Sequence, residues 1–401
     1  MGAWPSIVAA RDPLVCVVGA GPAGLAVAHL LRQGGVSCVV LERQEHDGLR
    51  ALMKAGMIEH RTVELLRPHG LADTILSRGT RVGTCEFRAD GEAFVLDYAA
   101  LCDGHGHYIY PQQELVTDWA EELLSSGGEI RFGVRAIAVE QTENSVTVRA
   151  VDSAGRPVTV DCEVVACCDG AASALSAGAH DYAVAYSFRW LTLIAEVPPS
   201  KHGTIYGLHR RGFAGQMLRS PTVSRFMLEV RATEEFDEWP DDRIWVELQE
   251  RLAAAGRPPI ERGEFLERDI LDHRVRVCDP MQQDRVFFAG DAAHLISPAG
   301  GKGMNMAIQD AVELAAGLWE RYGDADDGRR LASYSDVRLP SIWRHQEFSN
   351  LMLSLFNAGA APDDHADSSG FSYGLRRARL DQIVGDRRFS RWFAHAYVGV
   401  D

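Results

Sequence analysis

Residues 14–24 read Leu14-Val15-Cys16-Val17-Val18-Gly19-Ala20-Gly21-Pro22-Ala23-Gly24, and this stretch decides the fold. A short apolar run ends at Gly19. Apolar residues then recur at helical spacing (Leu25, Ala28, Leu31) as far as Gln33, and a second apolar run, Ser37 to Leu41, ends in Glu42. The pattern is strand, tight turn, helix, strand: a βαβ unit with a parallel strand pair. Glycines at 19, 21 and 24 permit the turn and a close backbone approach to a pyrophosphate, which would rest on the positive helix N-terminus. Glu42 lies 18 residues beyond Gly24, where a carboxylate can accept from ribose hydroxyls. The motif predicts dinucleotide binding but does not separate NAD from FAD.

Working outward, residues 57–77 and 111–126 carry helical spacing, and 79–110 reads as short strands. Residues 129–168 alternate as strands around the turn at Asp152–Gly155, and 183–232 gives further strands. A helix is predicted over 241–255 and an apolar strand over Arg285 to Ala289. A glycine-rich loop and a long amphipathic helix follow (Met304, Ala307, Ile308, Ala311, Ala315, Leu318 on one face), then mostly helix, with 359–370 read as a loop.

The chain has 401 residues and a net charge of −15, which excludes a general nucleic-acid binder and suits one large domain plus a smaller one. None of the eight cysteines has CxxC spacing, and most sit in apolar runs, so buried thiols in a reducing cytoplasm are expected, with no metal site. No run approaches the ~18 apolar residues of a membrane span, and the first dozen residues lack the pattern of a signal peptide. Three lysines (Lys54, Lys201, Lys302) stand among 41 basic residues, a mild hint that arginine would not serve there.

Two more motifs follow strands. Cys168-Asp169-Gly170 is either a plain turn or a ligand contact. Gly290-Asp291-Ala292-Ala293-His294 leads into Pro298-Ala-Gly-Gly-Lys302-Gly303-Met304-Asn305. Asp291 can accept from a ribityl hydroxyl. The helix N-terminus after it would favour the negative charge of a reduced flavin, with Lys302 either adding to that field or capping a solvated loop.

With these three motifs in this order, the chain resembles the class A flavin-dependent aromatic hydroxylases, and within them the 4-hydroxybenzoate 3-monooxygenases, over nearly its whole length. The resemblance implies an α/β fold in which an FAD-binding Rossmann-like domain (1–80, 111–182 and 274–401, the last with C-terminal helices) carries a smaller mixed-sheet substrate domain (81–110 and 183–273). It implies FAD as cofactor, NADPH or NADH as reductant, O2 and a small aromatic acid as substrates, and a homodimer. By resemblance Glu42 takes the adenosine ribose, Gln112 and Asp291 ribityl hydroxyls, and Pro298 and the backbone through Asn305 run along the isoalloxazine and the substrate. Asp169 serves both FAD and the reductant. Arg43, Gln44 and Arg274 match stretches facing NADPH, and Lys54 stands near the pyrophosphate where arginine is usual. Ser176 replaces an arginine of the family pattern.

The resemblance also places Tyr206 and Tyr397 in a relay that removes the substrate's phenolic proton, because a phenolate is far more electron-rich than a phenol at its ortho carbon. The other reading is two hydrogen-bonded core tyrosines. Arg219 remains to pair with a carboxylate, while Met217 and Met227 replace hydroxyl-bearing residues around it. The expected function is FAD-dependent hydroxylation of a 4-hydroxybenzoate-like acid ortho to its hydroxyl, with a ring-substituted substrate such as 3-amino-4-hydroxybenzoate. The alternatives are 4-hydroxybenzoate itself, a non-hydroxylating NAD(P)H–flavin oxidoreductase, or an NAD-dependent dehydrogenase.

Overall fold

The computed structural model describes residues 13–51, 56–173, 175, 181–323, 328–358 and 368–400. Six strands form the first sheet in the order Gln282–Gln283, Val286–Phe288, Val164–Cys167, Val15–Val18, Cys38–Leu41, Glu129–Arg131. All neighbours are parallel except the first pair. Val15–Val18 is buried at every residue, so it reads as a continuous apolar run, as a parallel strand covered on both faces does. Helices Pro22–Gln33 and Gly303–Tyr322 pack together beside the sheet, where a Cβ on Gly34 would fall 2.0 Å from Trp319 Nε1. A three-stranded antiparallel sheet (Arg135–Gln141, Val146–Val151, Pro157–Cys162) adds Val146, Val148 and Val160 to the same core.

The second sheet has eight strands in the order His294–Leu295, Phe265–Cys278, Asp181–Ala195, Ser224–Arg231, Ala214–Leu218, Thr204–Leu208, Thr84–Ala89, Glu92–Asp97. Strand Phe265–Cys278 runs across the 273/274 position, so one strand carries both Ile270 and Arg274. Side chains alternate between the two faces. Ile205, Ala214, Phe226 and Leu228 pack with helix Asp241–Arg251. Tyr206, Met227, Phe87 and Trp190 pack instead with Ala299 and the helices Tyr334–Phe356, Ser368–Gly385 and Arg387–Val398. That second face looks towards the loop after Gly290 and carries the candidate site.

Two expectations change. Residues 57–77 are not one helix: Met57–Ile58 is a strand, followed by helix His60–Leu66, a 3-10 turn and helix Asp73–Arg78. The strand forms because Met57 and Ile58 pair with Ile109 and Tyr108, a partner distant in sequence. Of the expected loop 359–370, residues 359–367 lie outside the described residues, and helix begins at Ser368. No helix among the described residues is long and apolar enough to cross a membrane.

Candidate active site

The glycine turn is built as a cradle. Gly19 has φ +100°, and a Cβ there would lie 2.5 Å from the Cys168 carbonyl oxygen; one on Gly24 would lie 1.9 Å from Gly19 O. These two glycines are demanded by backbone packing. At Gly21 a Cβ would meet nothing within 4 Å. That open space fronts the start of helix Pro22–Gln33, which has no side-chain cap, so its N-terminal field is free to hold a phosphate. Glu42 is buried, with Oε2 accepting from Ala20 N at 2.7 Å and Oε1 from Gln44 N at 2.8 Å. The two bonds fix the carboxylate and leave lone pairs for a ribose.

Asp291 and Gln112 are half-buried and make no side-chain hydrogen bond among the described residues. Asp169 accepts from Cys167 Sγ at 3.1 Å, and Gly170 beside it has φ +90° with open space at its Cβ position. An open glycine cradle, a fixed carboxylate at its rim and two uncommitted polar groups fit a dinucleotide with a polyhydroxylated arm, as FAD is.

On the inner face of the eight-stranded sheet, Tyr206 Oη lies 2.8 Å from Tyr397 Oη, and both residues are only 1% exposed. Tyr397 Oη lies 3.8 Å from Met57 Sδ, to which it donates. In that arrangement Tyr206 can donate to Tyr397 and keep a lone pair to accept from a substrate hydroxyl. Burial, and for Tyr397 also the neighbouring Tyr206, hold both phenols well above their ordinary pKa, so neither stands ionised. Phe356 stacks on Tyr206 at 5.3 Å between ring centres, and Phe393 on Tyr397 at 5.7 Å.

Met227 lies across the sheet from Gly215, which also pairs with Tyr206, and Met217 packs at the edge of the same cluster. Arg219 is half-buried and donates to Gln113 Oε1 at 3.1 Å, which joins the sheet to the start of helix Gln112–Ser125. Burial lowers its pKa. Burial also lowers that of Arg225, on the adjacent strand, to about 10, with the Arg219 charge as the second cause. The two arginines share this end of the face with the Glu267 carboxylate, which acts on both, and Glu114 acts on Arg219 as well.

Two polar side chains of this loop have buried partners. Lys302 does not cap a solvated loop. It is 1% exposed, and Nζ donates to Glu59 Oε1 at 2.5 Å, Ala396 O at 2.6 Å and Tyr397 O at 2.9 Å. Its three protons are spent, and Glu59 balances its charge. Asn305 is likewise turned inward: Oδ1 accepts from Glu59 N, and Nδ2 donates to Met57 O and Gly301 O. Both staple the Pro298–Asn305 loop to residues 57–59. Gly303 and Met304 begin the long helix and are half-buried, so their contribution to a ligand rests on backbone N–H groups. Pro298 opens a 3-10 turn capped by Ser297, whose Oγ accepts from Ala299 N at 3.3 Å.

The reductant residues are not drawn together as a cluster. Arg43 is exposed after strand Cys38–Leu41, Gln44 is half-buried beside it, and Arg274 is exposed on the eight-stranded sheet, 3.9 Å from Asp272. Lys54 and Ser176 lie outside the described residues.

Other residues of the site carried no sequence signal. His107 is fully buried; its Nε2 donates to Tyr397 O at 2.9 Å, and its ring lies 4.7 Å from that of Tyr397. Burial, with the Lys302 charge second, lowers its pKa to about 4, so it is a neutral support for Tyr397. Glu59 is visible only through its partners. An isolated acid or histidine in a strand-rich stretch has no spacing to mark it.

A glycine cradle that fits FAD, and a buried tyrosine pair on a second, mixed sheet, are features a flavin-dependent aromatic hydroxylase would need. Comparison with known proteins agrees: residues 12–349 match the FAD binding domain family. The chain is 30% identical over 391 residues to the p-hydroxybenzoate hydroxylase of Acinetobacter baylyi, covering 96% of this chain and 95% of that one. It belongs to this family and is an FAD-dependent aromatic monooxygenase, with NAD(P)H as the family's reductant. In fold it is similar to p-nitrophenol 4-monooxygenase from Pseudomonas putida (TM-score 0.78, 23% identity, 96% of each chain). It is also similar to aklavinone-11 hydroxylase solved with FAD and aklavinone (TM-score 0.73, 22% identity, 90% of this chain and 73% of that one).

Proposed function

We propose that the enzyme hydroxylates a 4-hydroxybenzoate-like phenolic acid ortho to its hydroxyl, consuming O2 and NAD(P)H and releasing water, and that the ring bears a further substituent such as an amino group. The observation that carries this reading is the Tyr206–Tyr397 hydrogen bond on the face that also holds Met217 and Met227, with Arg219 just beyond the end of strand Ala214–Leu218. Bound FAD, reduced by NAD(P)H, supplies an electrophilic oxygen atom derived from O2.

The chain's own residues do the rest. Arg219 pairs with the carboxylate and sets the ring's direction. Tyr206 accepts the phenolic proton while passing its own to Tyr397, and Tyr397 gives up its own hydroxyl proton to solvent in the same movement, so the ring becomes electron-rich without a charged tyrosine ever persisting. The packed aromatic cluster around the pair keeps bulk water away from the reacting ring. Gly19, Gly21, Gly24, Glu42, Gln112, Asp169 and Asp291 hold the cofactor, while Arg43, Gln44 and Arg274 meet the reductant. Met217 and Met227 supply no hydroxyls to a carboxylate, and two missing neutral hydrogen bonds cost on the order of 1–3 kcal/mol each. This favours a substituted ring over 4-hydroxybenzoate itself, the substrate in the name of the Acinetobacter relative.

The test is a titration of substituted 4-hydroxybenzoates, read by flavin spectral shift and by stimulated NAD(P)H oxidation with product analysis. The amino-substituted acid should bind and be hydroxylated. Tighter binding and turnover of the unsubstituted acid would replace the substrate assignment. Oxidation of NAD(P)H that no phenol stimulates would replace the hydroxylation reading.

A further inference from the structure

The Asp291 turn is held by a carboxylate that no sequence motif marked. Asp310, on helix Gly303–Tyr322, is wholly buried. Its Oδ2 accepts from Gly290 N at 3.0 Å and from His294 Nε2 at 2.5 Å, and its Oδ1 accepts from Arg338 Nε at 2.7 Å. The three donors come from the strand-end turn before Asp291, from the short strand after it, and from the helix Tyr334–Phe356.

The turn needs such a holder. Gly290 takes φ +63°, and a Cβ there would sit 3.1 Å from Ala307 Cβ and 3.3 Å from Ala23 Cβ. Ala23 belongs to the first turn of the helix that follows the glycine cradle. The bond from Gly290 N to Asp310 therefore sets where the Asp291 backbone leaves the sheet relative to that cradle. Burial alone would raise the Asp310 pKa, but His294 and Arg338 outweigh it and the carboxyl is held low, so it is an ionised acceptor for all three donors. Among the described residues Asp291 itself has no side-chain bond to hold it, so its direction is inherited from the turn.

We propose that Asp310, fixed by His294 and Arg338, is the positioning residue that aims Asp291 at the ribityl arm of FAD. It touches no reacting atom; it acts through the Gly290 N–H. The inference rests on Asp291 meeting the cofactor, and its failure separates cleanly from failure of that assignment.

The experiment is a double-mutant cycle on FAD affinity, measured by quenching of flavin fluorescence on titration into apoprotein, with apoprotein melting followed in parallel. Asp291→Ala and Asp310→Asn should each weaken FAD binding about tenfold or more, and the double variant should lose little beyond the worse single, because the second change acts on an interaction already gone. A merely structural Asp310 would give losses that multiply, and that result overturns the proposal. So does an Asp310→Asn protein that binds FAD within twofold of wild type. If Asp310→Asn does not fold, the cycle is run with Arg338→Met, judged by the same criterion. An Asp291→Ala protein of unchanged FAD affinity would instead remove the cofactor role of Asp291.

Discussion

Tyr206 and Tyr397 stand 191 positions apart in the chain, yet their hydroxyl oxygens lie 2.8 Å apart inside a wholly buried aromatic cluster. Because each phenol is held neutral by burial, the pair moves a proton only by handing one on as another arrives. Replacing either with phenylalanine breaks the chain. We expect Tyr206→Phe and Tyr397→Phe to bind the aromatic acid with modest loss but to lower hydroxylation by roughly 10²–10⁴-fold. Substrate-stimulated NAD(P)H oxidation would continue without hydroxylated product. Product yield per NAD(P)H, compared between the variants and wild type, checks this.

The glycines of the cradle make opposite predictions. Gly21→Ala puts a methyl into open space with φ at −77°, so the apoprotein should melt as wild type does, whereas FAD affinity falls because the methyl occupies the phosphate path. Gly24→Ala drives a methyl to 1.9 Å from the Gly19 carbonyl oxygen, and the protein should fail to accumulate in folded form. Melting curves of the apoproteins and an FAD titration separate the two outcomes.

Lys302 and Glu59 form a buried ion pair with both side chains 1% exposed. Removing one partner strands the other charge. Lys302→Met should cost about 3–5 kcal/mol of folding stability, and Lys302→Met with Glu59→Gln should recover much of it. Denaturant unfolding measures both. A Lys302→Met protein as stable as wild type would contradict the pairing.

His107 and His273 are buried and His345 half-buried, each with a pKa lowered to about 4, burial being the largest cause in all three. A depressed histidine binds fewer protons folded than unfolded. Stability is therefore unaffected above pH ~6.5 and falls as pH drops from there towards 4, as these side chains protonate in the unfolded chain first. His107→Leu should flatten that slope by about one proton. Unfolding free energy at half-unit pH steps tests it, and an unchanged slope would count against a neutral His107.

The βαβ unit, the glycine cradle and the Gly290-Asp291 turn were legible because they are local: strand period, turn glycines and a terminal acid lie within a few dozen residues and leave a spacing. The tyrosines and Arg219 could be proposed only through resemblance, since residues on separate strands share no period. The burial of Lys302 was not legible, for a physical reason. A lysine in a glycine-rich loop is ordinarily solvated, and only Glu59, 243 positions away, together with two carbonyls at the end of the last helix, makes its burial tolerable. Asn305, His107 and Asp310 are of the same kind, polar groups whose meaning is their partner. Local backbone preference and phosphate chemistry were written into the order of the amino acids. The pairing of buried polar groups came only with the folded chain, because their desolvation is offset by atoms that sequence distance does not predict.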